Sequence, residues 1–379
     1  MQHDLRIDAV ETGRQRADFY RVKCDLYRND PAAVIPLKRM EWLQLDPQRH
    51  PFYQHARRKV WVVYRGSQPV GRIAGIVDDL HNSHYQDRVG FFGFFESPSD
   101  QKIANLLLET AVDWLRREGC QAIRGPVNPS MKGEFGVLIE GHEHPPFIMM
   151  AHTPKYYDDL LQSFGLVPVK RFHSFLNVHG VDFAEAAERF AKLRESCERI
   201  QERFPEVSIR LGTPDTLEQM LRDVNRIGNV IRSRGWGFVP LTDAELDFNL
   251  RQLKRILDPQ TVIGAYIDGE MVGYNVSIPN VNWAIQRSRG WADWIRFPQL
   301  LYWLKKIPEV RNVAVGVDPD IRAKGITALV TKPMTDRWMR YRRWEFGWIA
   351  EDNLPSMAAL SRAMPLHQYK TYQVYEKPI

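Results

Sequence analysis

Cysteine is scarce in this chain. Three thiols, Cys24, Cys120 and Cys197, stand far apart and odd in number, which excludes a disulfide framework and points to reduced side chains. The opening stretch, "MQHDLRIDAVETGRQRADF", lacks the apolar core of a leader peptide. No run of about eighteen apolar residues occurs, so no membrane-spanning helix is expected. There is no low-complexity tract. The chain is expected to be a folded cytoplasmic protein, and peripheral contact with the inner membrane is the variant that a lipid product would call for.

Acidic residues are slightly outnumbered, 46 Asp and Glu against 52 Lys and Arg, a net charge of +6. A mildly basic surface suits an anionic partner: a nucleotide cofactor, an acidic carrier protein, anionic lipid or nucleic acid. Charge alone chooses none of them.

At 379 residues the chain is long enough for two modules, and its halves echo each other. "RRKVWVVYRGSQPVGRIAGIVDD" (Arg57 to Asp79) is two β-branched runs joined at Gly66-Ser67-Gln68-Pro69, a hairpin by pattern. "TVIGAYIDGEMVGYNVSIPNV" (Thr261 to Val281) repeats it with a turn at Asp268-Gly269. Near the two ends, Leu166, Lys170, Phe172 and Phe175 match Leu366, Lys370, Tyr372 and Tyr375 at a constant offset of 200. The reading is two copies of one mixed α/β module: residues 1–180, a charged helical connection over 181–205, and residues 206–379.

Each half carries strand, helix and strand between hairpin and tail. In the first, Ser99 or Asp100 caps a helix whose apolar face is Ile103, Leu106, Leu107, Thr110, Val112 and Leu115, and Gly119 stops it. In the second, "VAVGVDPDIRAKGITALVTKPM" (Val313 to Met334) passes from an apolar strand into a helix that Pro333 is expected to bend or interrupt. Between them lie Arg322, Lys324 and Gly325. A helix N-terminus leaves amide groups unpaired and carries partial positive charge, so Arg322 to Thr327 suits a pyrophosphate. An ordinary turn with solvated cations is the plainer reading of the spacing. The equivalent turn of the first half, "ESPSDQKIA", has no glycine and places Glu96 and Asp100 where phosphate would be repelled.

This order of elements resembles the GNAT superfamily of acyl-CoA N-acyltransferases over about Val262 to Lys377, and the first half follows it in pattern. The resemblance implies two tandem GNAT-like modules, each a mostly antiparallel twisted sheet flanked by helices. The family's phosphate loop, Q/R-x-x-G-x-G/A, is matched by Arg322, Gly325 and Thr327, and its later asparagine by Asn353 in "AEDNLPSMAAL". Thr327 departs from the usual small residue. The tyrosine that many members place about seven residues after the asparagine is here Leu360, leaving Tyr369, Tyr372 or Tyr375 as substitutes. "RGPVNPSMKGEFGVLIEGHEHPPFIMM" (Arg124 to Met150), the two-module length and the ending "YKTYQVYEK" are similar to the group that includes bacterial ceramide synthases. That likeness implies transfer of a fatty acyl group from CoA, or from a carrier protein's phosphopantetheine, to an amine such as a sphingoid base, without metal.

On this resemblance the acyl-CoA site takes Val315, Val317, Arg322, Lys324, Gly325, Ile326, Thr327 and Asn353. A backbone N–H around Val315 to Val317 meets the developing oxyanion. The neutral amine needs a base, for which Glu351 is the candidate, with Asp352, His142 and His144 as others. Tyr372 is the candidate acid. Asn128, Ser130, His142 and His144 are the candidate acceptor residues, although turn formation suffices to explain the loop that holds the first two.

His142-x-His144 and His81-x-x-His84 lack a third ligand at recognisable spacing, so no metal is expected. "DRWMRYRRWEF" interleaves cations and aromatics, but Met334, Trp338 and Tyr341 fall at core spacing, so no nucleic acid is expected. "WADWIRFPQLLYWLKKIP" (Trp291 to Pro308) and "HPPFIMM" are apolar enough to meet a membrane, although Leu300, Leu301 and Leu304 are spaced for a packed helix. Two rival functions stand beside acyl transfer: an aminoacyl-tRNA-dependent transferase, and a non-catalytic CoA- or lipid-binding protein of the same fold.

Overall fold

The structure, a computed structural model, describes residues 5–178, 183–233, 235–290, 292–337 and 340–379. For Phe183, Arg322, Ala323, Lys324, Pro355, Ser356 and Ala359 it describes the backbone only. Trp291 and Trp338, read above as part of an apolar stretch and of a core stripe, lie outside the described residues.

The first half runs β1 (Leu5–Ala9), α1 (Gly13–Leu26), α2 (Lys38–Leu43), β2 (Ala56–Arg65), β3 (Gln68–Asp78), α3 (Asp79–Tyr85), β4 (Val89–Glu96), α4 (Gln101–Arg117), β5 (Ala122–Gly125), β6 (Val127–Asn128), β7 (Glu134–Phe135), β8 (Val137–Glu140), α5 (Tyr157–Ser163) and β9 (Val167–Val178). The second runs α6 (Phe183–Arg203), β10 (Ser208–Leu211), α7 (Leu217–Arg232), α8 (Asp243–Leu253), β11 (Val262–Ile267), β12 (Glu270–Pro279), α9 (Val281–Arg287), α10 (Asp293–Leu304), β13 (Glu309–Val317), α11 (Ile326–Thr335), β14 (Arg343–Ala350), α12 (Leu354–Ala363) and β15 (His367–Pro378).

The turns explain the hairpins. Asp268 and Gly269 both have positive φ, 51° and 83°, the handedness that matches the twist of the strands they join. Asp100 caps α4 by accepting the Lys102 N–H at 3.0 Å, and Gly119, at φ 85°, turns the chain out of it. The buried face of α4 is Ile103, Ala104, Leu107, Leu108, Ala111, Val112 and Leu115. It keeps Ile103, Leu107, Val112 and Leu115 of the expected stripe, adds Ala104, Leu108 and Ala111, and leaves Leu106 and Thr110 half-buried at its margin. Pro333 does not interrupt α11, which continues to Thr335.

The chain forms two compact units whose composition differs from a linear cut. Unit 1 takes residues 1–171, 285–300 and 370–379, and unit 2 takes 172–284 and 301–369. Unit 1 orders its strands β1-β2-β3-β4-β5-β15, with β8 also on β15; unit 2 orders them β9-β14-β13-β12-β11-β10. The closing strands are therefore exchanged. Within unit 1 the end of the chain pairs with β5 (Tyr375 opposite Gly125) and β8 (Tyr372 opposite Leu138). Within unit 2, β9 pairs with β14 (Phe175 opposite Phe346). This corrects the boundary at 180, which would separate each closing strand from the ladder it completes.

The stretch 181–205 is likewise no mere connection. Ala186, Phe190 and Cys197 of α6 are buried in the core of unit 2 with Ile263, Ile326, Leu329 and Trp344.

In unit 1, Arg296 of α10 is buried because its guanidinium donates to the carbonyls of Ile35 (2.6 Å), Ser288 (2.9 Å) and Pro36 (3.2 Å). Asp293 accepts the N–H groups of Lys38 and Arg39 at the start of α2. Those bonds fix which face of α10 turns outward. Leu300 is buried, but Leu301 is 49% exposed, Phe297 53% and Trp294 71%, so the core reading of that helix fails for Leu301. Among the described residues no helix is long and apolar enough to cross a membrane.

Candidate functional site: a wedge beside a glycine-capped helix

In unit 2, β13 and β14 are parallel neighbours, but only from Glu309 opposite Arg343 to Asn312 opposite Phe346. Both strands continue, to Val317 and Ala350. Two irregularities open them. The pairing of β14 with β9 shifts between Phe346 and Ile349, and that of β12 with β13 shifts between Val276 and Ser277. Such shifts bend a strand away from its neighbour. The edge of β13 over Val313, Ala314, Val315 and Gly316 is left partly exposed.

An ion pair closes the apex. Arg311 and Glu345 are opposed in register, with Nε and Oε2 2.8 Å apart and both side chains buried. Arg311 also donates to the Gly347 carbonyl at 2.8 Å and lies 5.1 Å over the Trp348 ring. A buried pair recovers its desolvation cost only when further hydrogen bonds accompany it, and the bond to Gly347 is one of these. Sequence reasoning missed both residues. The signal was a pair of charges two residues apart at the start of each strand, Glu309 and Arg311 in β13 and Arg343 and Glu345 in β14, each followed by a mostly apolar run.

At the open end, β13 stops at the buried Val317, and one 3₁₀ turn over Pro319–Lys324 leads to Gly325. Gly325 has φ 76° and precedes α11, and no described side chain caps that helix. A Cβ at Gly325 would stand 2.7 Å from Cδ1 of Ile200 on α6, so glycine is required by conformation and by space. Of the predicted loop residues, Ile326 sends its side chain into the core and Thr327 is partly exposed. The side chains of Arg322 and Lys324 lie outside the described residues. The contrast with unit 1 is local: there the helix start carries the Asp100 carboxylate, and here it carries a glycine.

After β14 the chain turns through Glu351 and Asn353, both exposed. The Asn353 amide donates to the Ala350 carbonyl at 2.9 Å, and its own carbonyl accepts from Met357 in α12. Leu360 packs against the unit 2 core. The structure thus brings Val315, Val317, Gly325, Ile326, Thr327, Glu351 and Asn353 into one unit, on the two strands of the wedge and their exits. Tyr372 is a correction. It belongs to unit 1, is fully buried, and donates its hydroxyl to the Ala151 carbonyl at 3.1 Å, so that proton holds the strand rather than a leaving group.

On the α7 face of the unit 2 sheet, Tyr274 lies opposite Gly316. A Cβ at Gly316 would meet the Tyr274 ring and hydroxyl at 2.9 Å, so this glycine is what admits the phenol over β13. Burial pushes the Tyr274 pKa up while the Arg232 charge opposes it, which keeps the hydroxyl protonated near neutrality.

Unit 1 has the same wedge in outline and fills it. Its parallel strands β4 and β5 pair from Val89 opposite Ala122 to Phe91 opposite Arg124, and β4 continues to Glu96. Here β6 folds back into the gap. Asn128 Oδ1 accepts the Phe94 N–H at 2.6 Å, and the Val127 carbonyl stands 1.7 Å from where a Cβ of Gly93 would be. Glu96 is buried beneath, receiving the hydroxyls of Tyr157 (2.7 Å) and Tyr27 (3.0 Å).

All four predicted acceptor residues therefore belong to unit 1. Asn128 seals a strand edge, and Ser130 makes a turn through bonds to the N–H groups of Gly133 and Lys132. His144 lies 3.3 Å from Glu143 and lends its carbonyl to Lys370. Burial, then the neighbouring charges of His152, Lys155 and Lys370, hold His142 below the usual imidazole range. Among the described residues no group of three or more His, Cys, Asp or Glu is arranged to hold a metal ion.

The wedge, the glycine-capped helix and the doubled module can be set beside known proteins. No family model matches the chain. It is 30% identical to the bacterial ceramide synthase of Caulobacter vibrioides (strain NA1000 / CB15N), with 99% of this chain and 98% of that protein covered. It is 28% identical to protein YghO of Escherichia coli (strain K12), over 95% of this chain and 92% of that one. Among solved structures it is similar to a tandem GNAT protein from the clavulanic acid biosynthesis pathway, with a TM-score of 0.57, 11% identity, and 99% and 98% of the two chains covered. A GCN5-related N-acetyltransferase from Sphaerobacter thermophilus gives a TM-score of 0.54 at 12% identity, over 99% and 95%. At these identities the structural likeness speaks to the fold alone, which is the tandem GNAT fold.

Proposed function

This chain belongs to the GNAT superfamily, in the family of the bacterial ceramide synthase, and on that premise we propose that it is an acyltransferase moving a fatty acyl group from a CoA thioester to the amine of a long-chain base. The observation that carries the proposal is the parting of β13 from β14 after Asn312 and Phe346, with a helix start at Gly325 beside it that no described side chain caps. An extended thioester arm fits the free edge of β13, where a strand would otherwise pair. The amides of Ile326 and Thr327, with Arg322 and Lys324, would hold its pyrophosphate. A carrier protein's phosphopantetheine presents the same arm, and the +6 net charge suits either anionic donor.

An N–H of Val315 or Val317 takes the oxyanion as the amine attacks the thioester carbonyl. The C–N bond forms, the C–S bond breaks, and the amine's proton leaves through Glu351 or water. Asn353 contacts the pantetheine arm from the β14 side. Unit 1, whose wedge is filled by its own chain, has a supporting role in this scheme. In unit 1 the exposed Trp294 and Phe297 of α10 suit peripheral contact with a membrane, where a long-chain acceptor resides.

The test is direct. The purified protein is incubated with acyl-CoAs of several chain lengths and with a panel of amines, and amide product is read by mass spectrometry. Arg322→Glu with Lys324→Glu is then titrated with acyl-CoA by calorimetry. Amide formation by the parent, with binding lost in the double variant, is expected. Unchanged affinity sinks the phosphate loop, and binding without turnover favours a non-catalytic binding protein, the reading that Leu360 in an apolar setting supports.

A further inference from the structure

In unit 1 the exposed aromatic residues of α10 stand among charges of one sign. Over residues 35–43 and 285–300 the exposed charged side chains, among the described residues, are Lys38, Arg39, Arg287 and Arg289. All are cations. The two acids of these segments are already engaged. Glu41 is buried and paired with Arg72, and Asp293 accepts the N–H groups that open α2.

Hydrogen bonds fix how this surface is presented. Asp293 and Arg296 stand one turn apart on α10 and share its inward flank. Asp293 holds Lys38 and Arg39 by their amides, and Arg296 holds the carbonyls of Ile35, Pro36 and Ser288. Trp294 and Phe297, each one position further on, share the neighbouring flank and are exposed. Arg289 is tied to the same helix, donating its N–H to Gln299 Oε1 at 3.2 Å and accepting from Gln299 Nε2 at 2.8 Å. Cations therefore stem from both ends of the aromatic pair, Lys38 and Arg39 at the Asp293 end and Arg289 at the Gln299 end.

We propose that this surface docks on an anionic lipid bilayer. Trp294 and Phe297 enter the boundary between headgroups and acyl chains, and Lys38, Arg39 and Arg289 meet lipid phosphates. The inference rests on the acyltransferase reading for why a membrane is visited. It adds the sign of the lipid's charge and the residues that read it. Aromatic residues on one flank of a helix with Lys and Arg around them suit a helix lying in the interface. A second copy of the chain fits less well, because a two-fold contact sets the same surface against itself. The cations would then face each other, and these segments expose no acid to answer them. An anionic bilayer answers every cation at once, and each is worth a factor of about five in affinity.

The experiment sediments the purified protein with vesicles of phosphatidylglycerol and phosphatidylcholine mixed, and with vesicles of phosphatidylcholine alone. The parent, Lys38→Gln with Arg39→Gln, and Trp294→Ser with Phe297→Ser are compared, and the melting temperature of each is measured. The parent should bind the anionic vesicles, and added salt should weaken that binding. The charge variant should lose about twentyfold in affinity, and the aromatic variant about tenfold. Melting temperatures should not change, since all four side chains are exposed. In the charge variant, amide formation on a short soluble amine should match the parent, while amide formation on a long-chain base held in anionic vesicles should fall.

Equal binding to both kinds of vesicle, or binding that neither variant alters, overturns the surface. Self-association of the parent that the aromatic variant abolishes, without vesicle binding, gives the face to a second copy and overturns it as well. Vesicle binding that follows the substitutions in a protein that forms no amide keeps the surface and removes the acyltransferase reading. Amide formation without any vesicle binding keeps acyl transfer and removes the surface.

Discussion

The charged pair nearest the opening bears on how the unit 2 wedge holds its shape. Arg311 and Glu345 sit one register step before β13 and β14 separate, and a second pair, Arg343 with Glu309 at 2.9 Å, lies at the start of the same two strands. Breaking such a pair leaves one buried charge uncompensated, which costs about 3–5 kcal/mol. Glu345→Gln is therefore expected to lower the unfolding free energy by roughly that amount in a denaturant titration. The double change Arg311→Met with Glu345→Leu should recover most of it. A double variant no better than the single one would show that the Arg311 bond to Gly347, and not the charge pairing, secures the apex.

His152 of unit 1 offers a second test at this scale. It is buried, with Nε2 2.8 Å from Asp30 Oδ2. Burial pushes its pKa down, the Asp30 bond opposes this, and the charges of Lys370 and Lys23 push it further down. The unfolded ring titrates near about 6.5, above the folded one, so between the two values only the unfolded chain takes the proton. The contribution to stability is fully present above the unfolded value. It is lost as pH falls through the window to the folded pKa. The melting temperature should decline less between about pH 6.5 and 5 in His152→Asn than in the parent, and an identical slope would refute the assignment.

At the scale of elements, legibility followed the kind of force involved. Hairpins and α4 could be read because turn chemistry and apolar period are local. The offset of 200 between the halves is realised in β9 and β15, which begin at Val167 and His367. The filling of the unit 1 wedge by Val127 and Asn128 was not legible, since a two-residue bridge to a strand more than thirty positions earlier leaves no periodic trace. Nor was the packing of α6, whose charged spacing matches a solvated connector while Ala186, Phe190 and Cys197 are buried. The glycine before α11 was legible as a cap, and its second reason, Ile200 at 2.7 Å from a Cβ, was not. Gly325→Ala meets both a left-handed φ, at a cost of about 1 kcal/mol, and a side chain that must move. It should lower stability by about 1–2 kcal/mol and weaken acyl-CoA binding in the same protein. Lower stability with unchanged affinity would confine this glycine to a structural role.

For the whole chain, the exchange of closing strands changes what a domain means. Read linearly, residues 1–180 and 206–379 are two modules, and each should survive removal of the other's end. The pairing says otherwise, since β15 completes unit 1 through β5 and β8 and β9 completes unit 2 through β14. Sequence could show that the module was doubled but not that its ends were traded, because a strand carries the same alternation whichever ladder it joins. Ending the chain after Tyr369 should therefore injure unit 1. Tyr375, buried in that unit's core, is lost with it, as is the Tyr372 bond to Ala151. In hydrogen-exchange measurements the truncated protein should lose protection over Ala122–Gly125 and Val137–Glu140, while β11, β12 and β13 keep theirs. Loss centred on β13 and β14 with β5 intact would return β15 to the second half and restore the linear division.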